Sequence, residues 1–78
     1  MPHVVVKVAS GRSNQQKIRL AAAITKDVVA ILGVGEDAVS VAIEEVDRAV
    51  WAEAVYRPDI LEKWETLYKK PGYDPFAK

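Results

Sequence analysis

Apolar residues alternate at the start of the chain, with Val4, Val6 and Val8 on one side of an extended backbone and His3, Val5 and Lys7 on the other. This period of two, carried by β-branched residues, predicts a strand over residues 2–8, with His3 on the side opposite Val4. Gly11 marks a turn over residues 9–12, and Ser13 followed three residues later by Gln16 is the capping-box pattern that opens a helix. From Asn14 the period lengthens. Ile18, Ala21, Ala22, Val28, Val29 and Leu32 follow the i, i+3, i+4 spacing of a helix face, until Gly33 ends it as a left-handed cap. An acidic turn at Glu36 and Asp37 leads back to alternation over residues 39–46, where Val39, Val41 and Ile43 interleave with Ser40, Ala42 and Glu44 in a second strand.

Strand, helix and strand in that order form a βαβ unit, whose crossover forces the strands parallel and is almost always right-handed. Beyond it, residues 50–56 suit a short helical or turn segment. Arg57-Pro58-Asp59 then restarts a helix with Pro58 in the tolerated first turn. Ile60, Leu61, Trp64, Leu67 and Tyr68 give that helix an apolar stripe, with Asp59/Lys63 and Glu65/Lys69 as i, i+4 pairs. Lys69-Lys70-Pro71-Gly72 ends it, and residues 73–78 read as a tail. The predicted fold class is α/β: a βαβ protomer with parallel strands plus a C-terminal helix, in one domain over residues 1–78.

Two strands do not make a stable sheet, and neither strand carries an interior Pro to blunt its edge. The chain has 78 residues, and domains below roughly 70–80 residues seldom stand alone without disulfides, metal or association. It has no Cys and a single His, which excludes disulfides and thiolate zinc sites and leaves no metal expected. Association is the remaining answer, a homo-oligomer that completes the sheet between copies. Eleven Lys and Arg balance eleven Asp and Glu, so the basic footprint of nucleic-acid binding is missing. The first strand is interrupted by Lys7 and no apolar run approaches a membrane span, so the expectation is a cytoplasmic protein with neither nucleic acid nor membrane as partner. Charge is nevertheless uneven: residues 1–35 sum to +4 and residues 36–78 to −4. Self-complementarity within or between subunits and a cationic pocket in the first half both fit this split.

The residues carry neither a Cys nucleophile, nor a Ser-His-Asp arrangement, nor a phosphate loop, because Gly33-Val34-Gly35 follows a helix instead of preceding one. What remains is Pro2. A small residue after the initiator Met lets that Met be removed, which exposes a secondary amine at the start of the first strand. Such an amine titrates far below Lys, and desolvation or nearby cations lower it further, so it can serve as a base near neutral pH.

Met-Pro, an apolar strand, Gly11-Arg12-Ser13-Asn14-Gln15-Gln16-Lys17 at the helix start, the strand over residues 39–46 and an aromatic at Trp51 together resemble the 4-oxalocrotonate tautomerase family. The likeness runs without gaps from Pro2 to about residue 54, and the longer C-terminus with Lys69-Lys70-Pro71-Gly72-Tyr73 looks like the extended bacterial branch of that family. The resemblance implies a cofactor-free enzyme that interconverts the enol and keto forms of small 2-oxo acids, assembled as a dimer or hexamer with sites shared between subunits. By the same resemblance Pro2 is the general base, Arg12 binds the substrate carboxylate and Trp51 lines the pocket and keeps it dry. Ser40 falls where the family has a second arginine that polarises the substrate carbonyl. A hydroxyl cannot replace that charge, which points from a dicarboxylate substrate toward a monoacid such as an aryl pyruvate enol. Two alternatives accompany this reading. Trp51-Ala52-Glu53 resembles dehalogenase relatives in which a Glu activates water for addition to an unsaturated acid, although this chain has Ala9 where those relatives carry a further arginine. The other is an oligomeric binding module without catalysis.

Overall fold

The computed structural model describes residues 1–77. The chain forms two compact units, Met1–Glu45 and Val46–Lys78. The first holds strand β1 (His3–Ala9) and helix α1 (Asn14–Leu32), followed by strand β2 (Ser40–Val46), which reaches into the start of the second.

β1 and β2 pair directly in a two-stranded sheet. They start side by side and run parallel: the Ser40 N–H donates to the Pro2 carbonyl at 3.2 Å, tying the first residues of the two strands together. The capping box is formed as the sequence predicts. Gln16 N–H donates to Ser13 Oγ at 3.1 Å, and Ser13 N–H donates to Gln16 Oε1 at 2.9 Å. At the other end Gly33 adopts φ 70°, ψ 34° and its N–H bonds the Val29 carbonyl, the left-handed termination that costs a residue without a Cβ least. Nineteen residues make α1 about 28 Å long, enough to cross the sheet once. Lys17 on α1 forms an ion pair with Glu45 on β2, a link between crossover and sheet.

The face that α1 turns to the sheet is rotated from the one the spacing suggests. Lys17, Ala21, Ile24, Thr25, Val28 and Val29 are the half-covered positions, whereas Ile18, Ala22 and Leu32 are exposed. At 3.6 residues per turn Ile18 and Ala22 lie on the edge of that face, and Leu32 is the last helical residue. No residue of α1 is fully buried; Ile18 is 61% and Ile31 80% exposed. On β1, Val4, Val6 and Val8 are half-buried while Val5 on the opposite side is exposed. A single turn of 3₁₀ helix at Glu36–Ala38 occupies the predicted acidic turn.

The second unit departs from expectation. After a 3₁₀ turn at Arg48–Val50, capped by Asp47 Oδ1 on the Ala49 N–H, the chain winds as a π-helix over Ala52–Leu61 with Pro58 inside it. Pro58 therefore does not restart a helix. Its ring would clash with the carbonyl four residues back in an α-helix and it has no N–H to give, so the wider five-residue winding accommodates it; Glu62 N–H closes that winding on the Arg57 carbonyl at 3.0 Å. The C-terminal helix also stops at Leu61. Lys63 leaves helical geometry at φ −118°, ψ 27°, and Thr66 turns its hydroxyl onto the Lys63 carbonyl at 2.7 Å, leaving only a 3₁₀ turn at Trp64–Thr66. The predicted stripe from Ile60 to Tyr68 is consequently not one helix face, and Tyr68 is fully exposed. Residues 73–76, expected as a tail, fold back on the unit. The Tyr73 and Phe76 rings lie 5.4 and 5.9 Å from the Tyr56 ring, centroid to centroid. Val55 and Tyr56 are the buried apolar residues among those described, at 4% and 3% exposure. Lys78, the end of the predicted tail, lies outside the described residues.

Candidate active site

Pro2 is half-buried at the joined start of the two strands. It enters the ladder through its carbonyl, which accepts from Ser40, and not through its nitrogen. Met1 projects beyond it, 99% exposed, with its terminal ammonium donating to the Ala38 carbonyl at 2.8 Å. While Met1 is attached, the Pro2 nitrogen is an amide without basicity.

Ser40 stands beside Pro2, exposed, with Oγ 2.6 Å from His3 Nδ1. Parallel strands in register present neighbouring side chains on the same side, which is why His3, on the side away from Val4, meets Ser40. The sequence placed His3 on the correct side but offered no partner for it.

Arg12 occupies the opposite end of β1. It follows Gly11, held at φ 118°, and lines an open hollow of about 230 Å³ with Val8, Gln16, Lys17, Leu20 and Ile43. The seven residues of β1 span roughly 23 Å, and both Pro2 and Arg12 lie outside that span, one at each end. A protomer thus brings Pro2 and Ser40 together and holds Arg12 away from both.

Trp51 belongs to the second unit, half-buried, and its indole N–H donates to the Tyr73 hydroxyl at 2.9 Å. Tyr56 donates its hydroxyl to the Tyr73 carbonyl at 3.2 Å. Desolvation first, then the charges of Asp74 and Tyr73, raise the Tyr56 pKa, so the phenol remains a donor at neutral pH. Sequence reading missed Tyr56 and Tyr73 because these contacts span 17 and 22 residues; the Pro71-Gly72 pair was the one local sign that the chain could reverse.

Glu53 is clamped. Arg57 donates Nε to Glu53 Oε2 at 2.9 Å and Nη2 to Oε1 at 3.2 Å, a bidentate pair one helical turn apart. The guanidinium hydrogen bonds hold the Glu53 pKa below the usual carboxylate value, and the same pair raises that of Arg57. A carboxylate with both oxygens occupied and its basicity lowered is poorly disposed to activate water. The Arg57 guanidinium also sits 4.5 Å above the Phe76 ring, so it is committed within its own unit. Among the described residues no three His, Asp or Glu side chains gather where a metal ion could be held, and no helix is long and apolar enough to cross a membrane.

Comparison with known proteins converges on one family. A family model described as "Tautomerase enzyme" matches residues 2–57. A probable tautomerase of Xylella fastidiosa is 44% identical over 77 residues, covering 99% of this chain and 94% of that protein. The tautomerase PptA of Escherichia coli is 35% identical over 74 residues, covering 94% and 97%. Among solved structures, that of 4-oxalocrotonate tautomerase isozymes from Methylibium petroleiphilum superposes with a TM-score of 0.58 at 37% identity, covering 59% of this chain and 72% of that one. The β1-α1-β2 unit with its Met-Pro start and Gly-Arg-Ser turn is therefore a tautomerase unit, and the chain belongs to the tautomerase family as a 4-oxalocrotonate tautomerase-like isomerase.

Proposed function

We propose that this isomerase interconverts the enol and keto forms of small 2-oxo acids without a cofactor, using the Pro2 amine, freed by loss of Met1, as its general base. The observation that carries the reading is the way Pro2 is held. The ladder uses its carbonyl, so cleavage of the Met1-Pro2 bond frees the ring nitrogen without removing a strand hydrogen bond. The nearly fully exposed Met1 side chain gives no packing to lose.

In the enol-to-keto direction the neutral amine takes the enol hydroxyl proton, the oxygen electrons form the carbonyl, and the former double-bond pair at carbon takes the proton back. The amine is regenerated, so one group serves as base and then acid. An α-amino group titrates near about 8 in water, and a dry pocket walled by Trp51 with a guanidinium close by lowers it further. Arg12 supplies that guanidinium and grips the substrate carboxylate with its two-pronged donor set. Since Arg12 and Pro2 lie at opposite ends of β1, the Arg12 of a given site comes from a second copy, in a dimer or hexamer. The exposed Ile18, Leu20, Ile31 and Leu32 of α1 and Val5 of the sheet supply apolar area for that association. Ser40 beside Pro2 offers a neutral hydroxyl to the substrate oxygen, which favours a monoacid such as an aryl pyruvate enol over a dicarboxylate.

The test is the mass of the protein made in its native cell, beside ketonisation of aryl pyruvate and 2-hydroxymuconate enols by the wild type and Pro2→Ala. The expected result is a chain lacking Met1, faster turnover of the aryl pyruvate enol, and loss of at least about 100-fold in kcat/KM in Pro2→Ala, the low end of a general base's contribution. A retained Met1, or equal rates in the two proteins, refutes the mechanism.

A further inference from the structure

The family match ends at residue 57, yet the side chain that holds the Trp51 indole comes from beyond it. Tyr73 is fixed at three points. Its carbonyl takes the Tyr56 hydroxyl, its ring packs at 57° against that of Tyr56, and its own hydroxyl accepts the indole N–H of Trp51. The segment after it is pinned as well: Asp74 Oδ1 accepts from the Phe76 N–H at 2.9 Å, and Phe76 packs edge-on to Tyr56 beneath the Arg57 guanidinium. Tyr56, the centre of this cluster, is among the best buried residues described. Indole has a single donor, so its one hydrogen bond sets the direction of the ring edge. Trp51 is only half-buried, and packing alone leaves it more freedom than a core tryptophan has.

We infer that Tyr73 is a positioning residue for substrate binding: the returning C-terminal segment holds the Trp51 indole in one orientation through the Tyr73 hydroxyl, and thereby sets the shape of the wall that Trp51 gives the pocket. This rests on the reading of Trp51 as a pocket wall. In this role Tyr73 acts through Trp51, by the hydrogen bond to its indole N–H. Free of that restraint, the indole turns about its own bonds and the pocket must order it each time an aryl substrate enters, so the cost appears in binding and not in proton transfer.

The experiment uses the processed full-length chain. Trp64→Phe leaves Trp51 as the sole tryptophan, and Tyr73→Phe in that background removes one hydroxyl while keeping the ring against Tyr56. The expected outcome is faster local rotation of Trp51 in fluorescence anisotropy decay. KM for an aryl pyruvate enol rises about fivefold, the equivalent of one neutral hydrogen bond, with kcat unchanged. Unchanged Trp51 motion overturns the inference, as does unchanged KM. A joint fall in kcat and thermal midpoint also overturns it, since that is what plain packing gives. Two further variants separate this claim from the proposed function. Trp51→Ala with wild-type KM removes Trp51 from the pocket and the inference with it. Activity surviving in Pro2→Ala refutes the general base and leaves the expected Tyr73 result as support for the inference.

Discussion

If Pro2 and Arg12 of one site come from different chains, two individually dead variants rescue one another. Pro2 lies before β1 and Arg12 three residues after it, with a strand of roughly 23 Å between, far beyond the reach of one arginine side chain. Pro2→Ala and Arg12→Ala, each assembled alone, place a defect in every site and should have background activity. Co-expressed in equal amounts with distinct tags, the two chains assemble at random. A shared site works when its Pro2 donor is the Arg12→Ala chain, half the time, and its Arg12 donor is the Pro2→Ala chain, again half the time. About a quarter of sites are then intact in a random mixture. Selection for both tags leaves that near a quarter in a hexamer but raises it to about a half in a dimer, where every retained molecule has one intact site of two. The selected material should therefore recover about a quarter or about a half of wild-type kcat per site. Ketonisation of an aryl pyruvate enol by the co-purified, doubly tagged material reads this directly, with the separately folded variants mixed afterwards as the control. Background activity in an assembly shown to contain both chains refutes the argument, because it places the two groups in the same protomer, while wild-type activity in Arg12→Ala alone denies Arg12 a part.

Two other expectations concern the scaffold. Ser13→Ala deletes one half of the reciprocal cap at the start of α1 and should lower unfolding stability by about 1 kcal/mol in urea titration without altering kcat; no change shows the cap to be redundant. Glu53 carries a lowered pKa in the folded state, so its pair with Arg57 stabilises the fold above the unfolded carboxylate value and the contribution is lost as pH falls through the folded one. Glu53→Gln should therefore be less stable than wild type at neutral pH and equal to it in acid, with a gap that shrinks in salt; a constant gap across pH assigns the effect to something other than this pair.

The βαβ part was legible in the sequence because each of its elements has a local cause. Val4, Val6 and Val8 alternate, Ser13 and Gln16 reach one another within a single turn, and Gly33 takes a backbone angle that few other residues tolerate. The second half obeys longer-range causes. A five-residue winding around Pro58 has no period that a 3.6-residue template detects, and the stripe from Ile60 to Tyr68 was apolar spacing without a continuous helix to carry it. Of the site, Pro2 and Ser40 are joined by the Ser40 N–H on the Pro2 carbonyl, a pairing that the alternation within each strand does not fix. Arg12 and Trp51 were named from resemblance to a family, and a protomer does not join Arg12 to Pro2. The clamp of Arg57 on Glu53 could have been suspected from i, i+4 spacing, and it weakens the water-activating role that the neighbouring Trp-Ala-Glu sequence suggested.

Val55 and Tyr56, the two well-shielded apolar side chains among the described residues, both lie outside the β1-α1-β2 unit that carries Pro2. If the copies associate as proposed, dilution acts as a denaturant: each copy that drifts free wets the valines and isoleucines of its crossover and becomes food for proteases. With that assembly the cellular supply of working enzyme would rise more steeply than the number of chains made, and the rate of synthesis would govern how much of the protein is folded as well as how much exists.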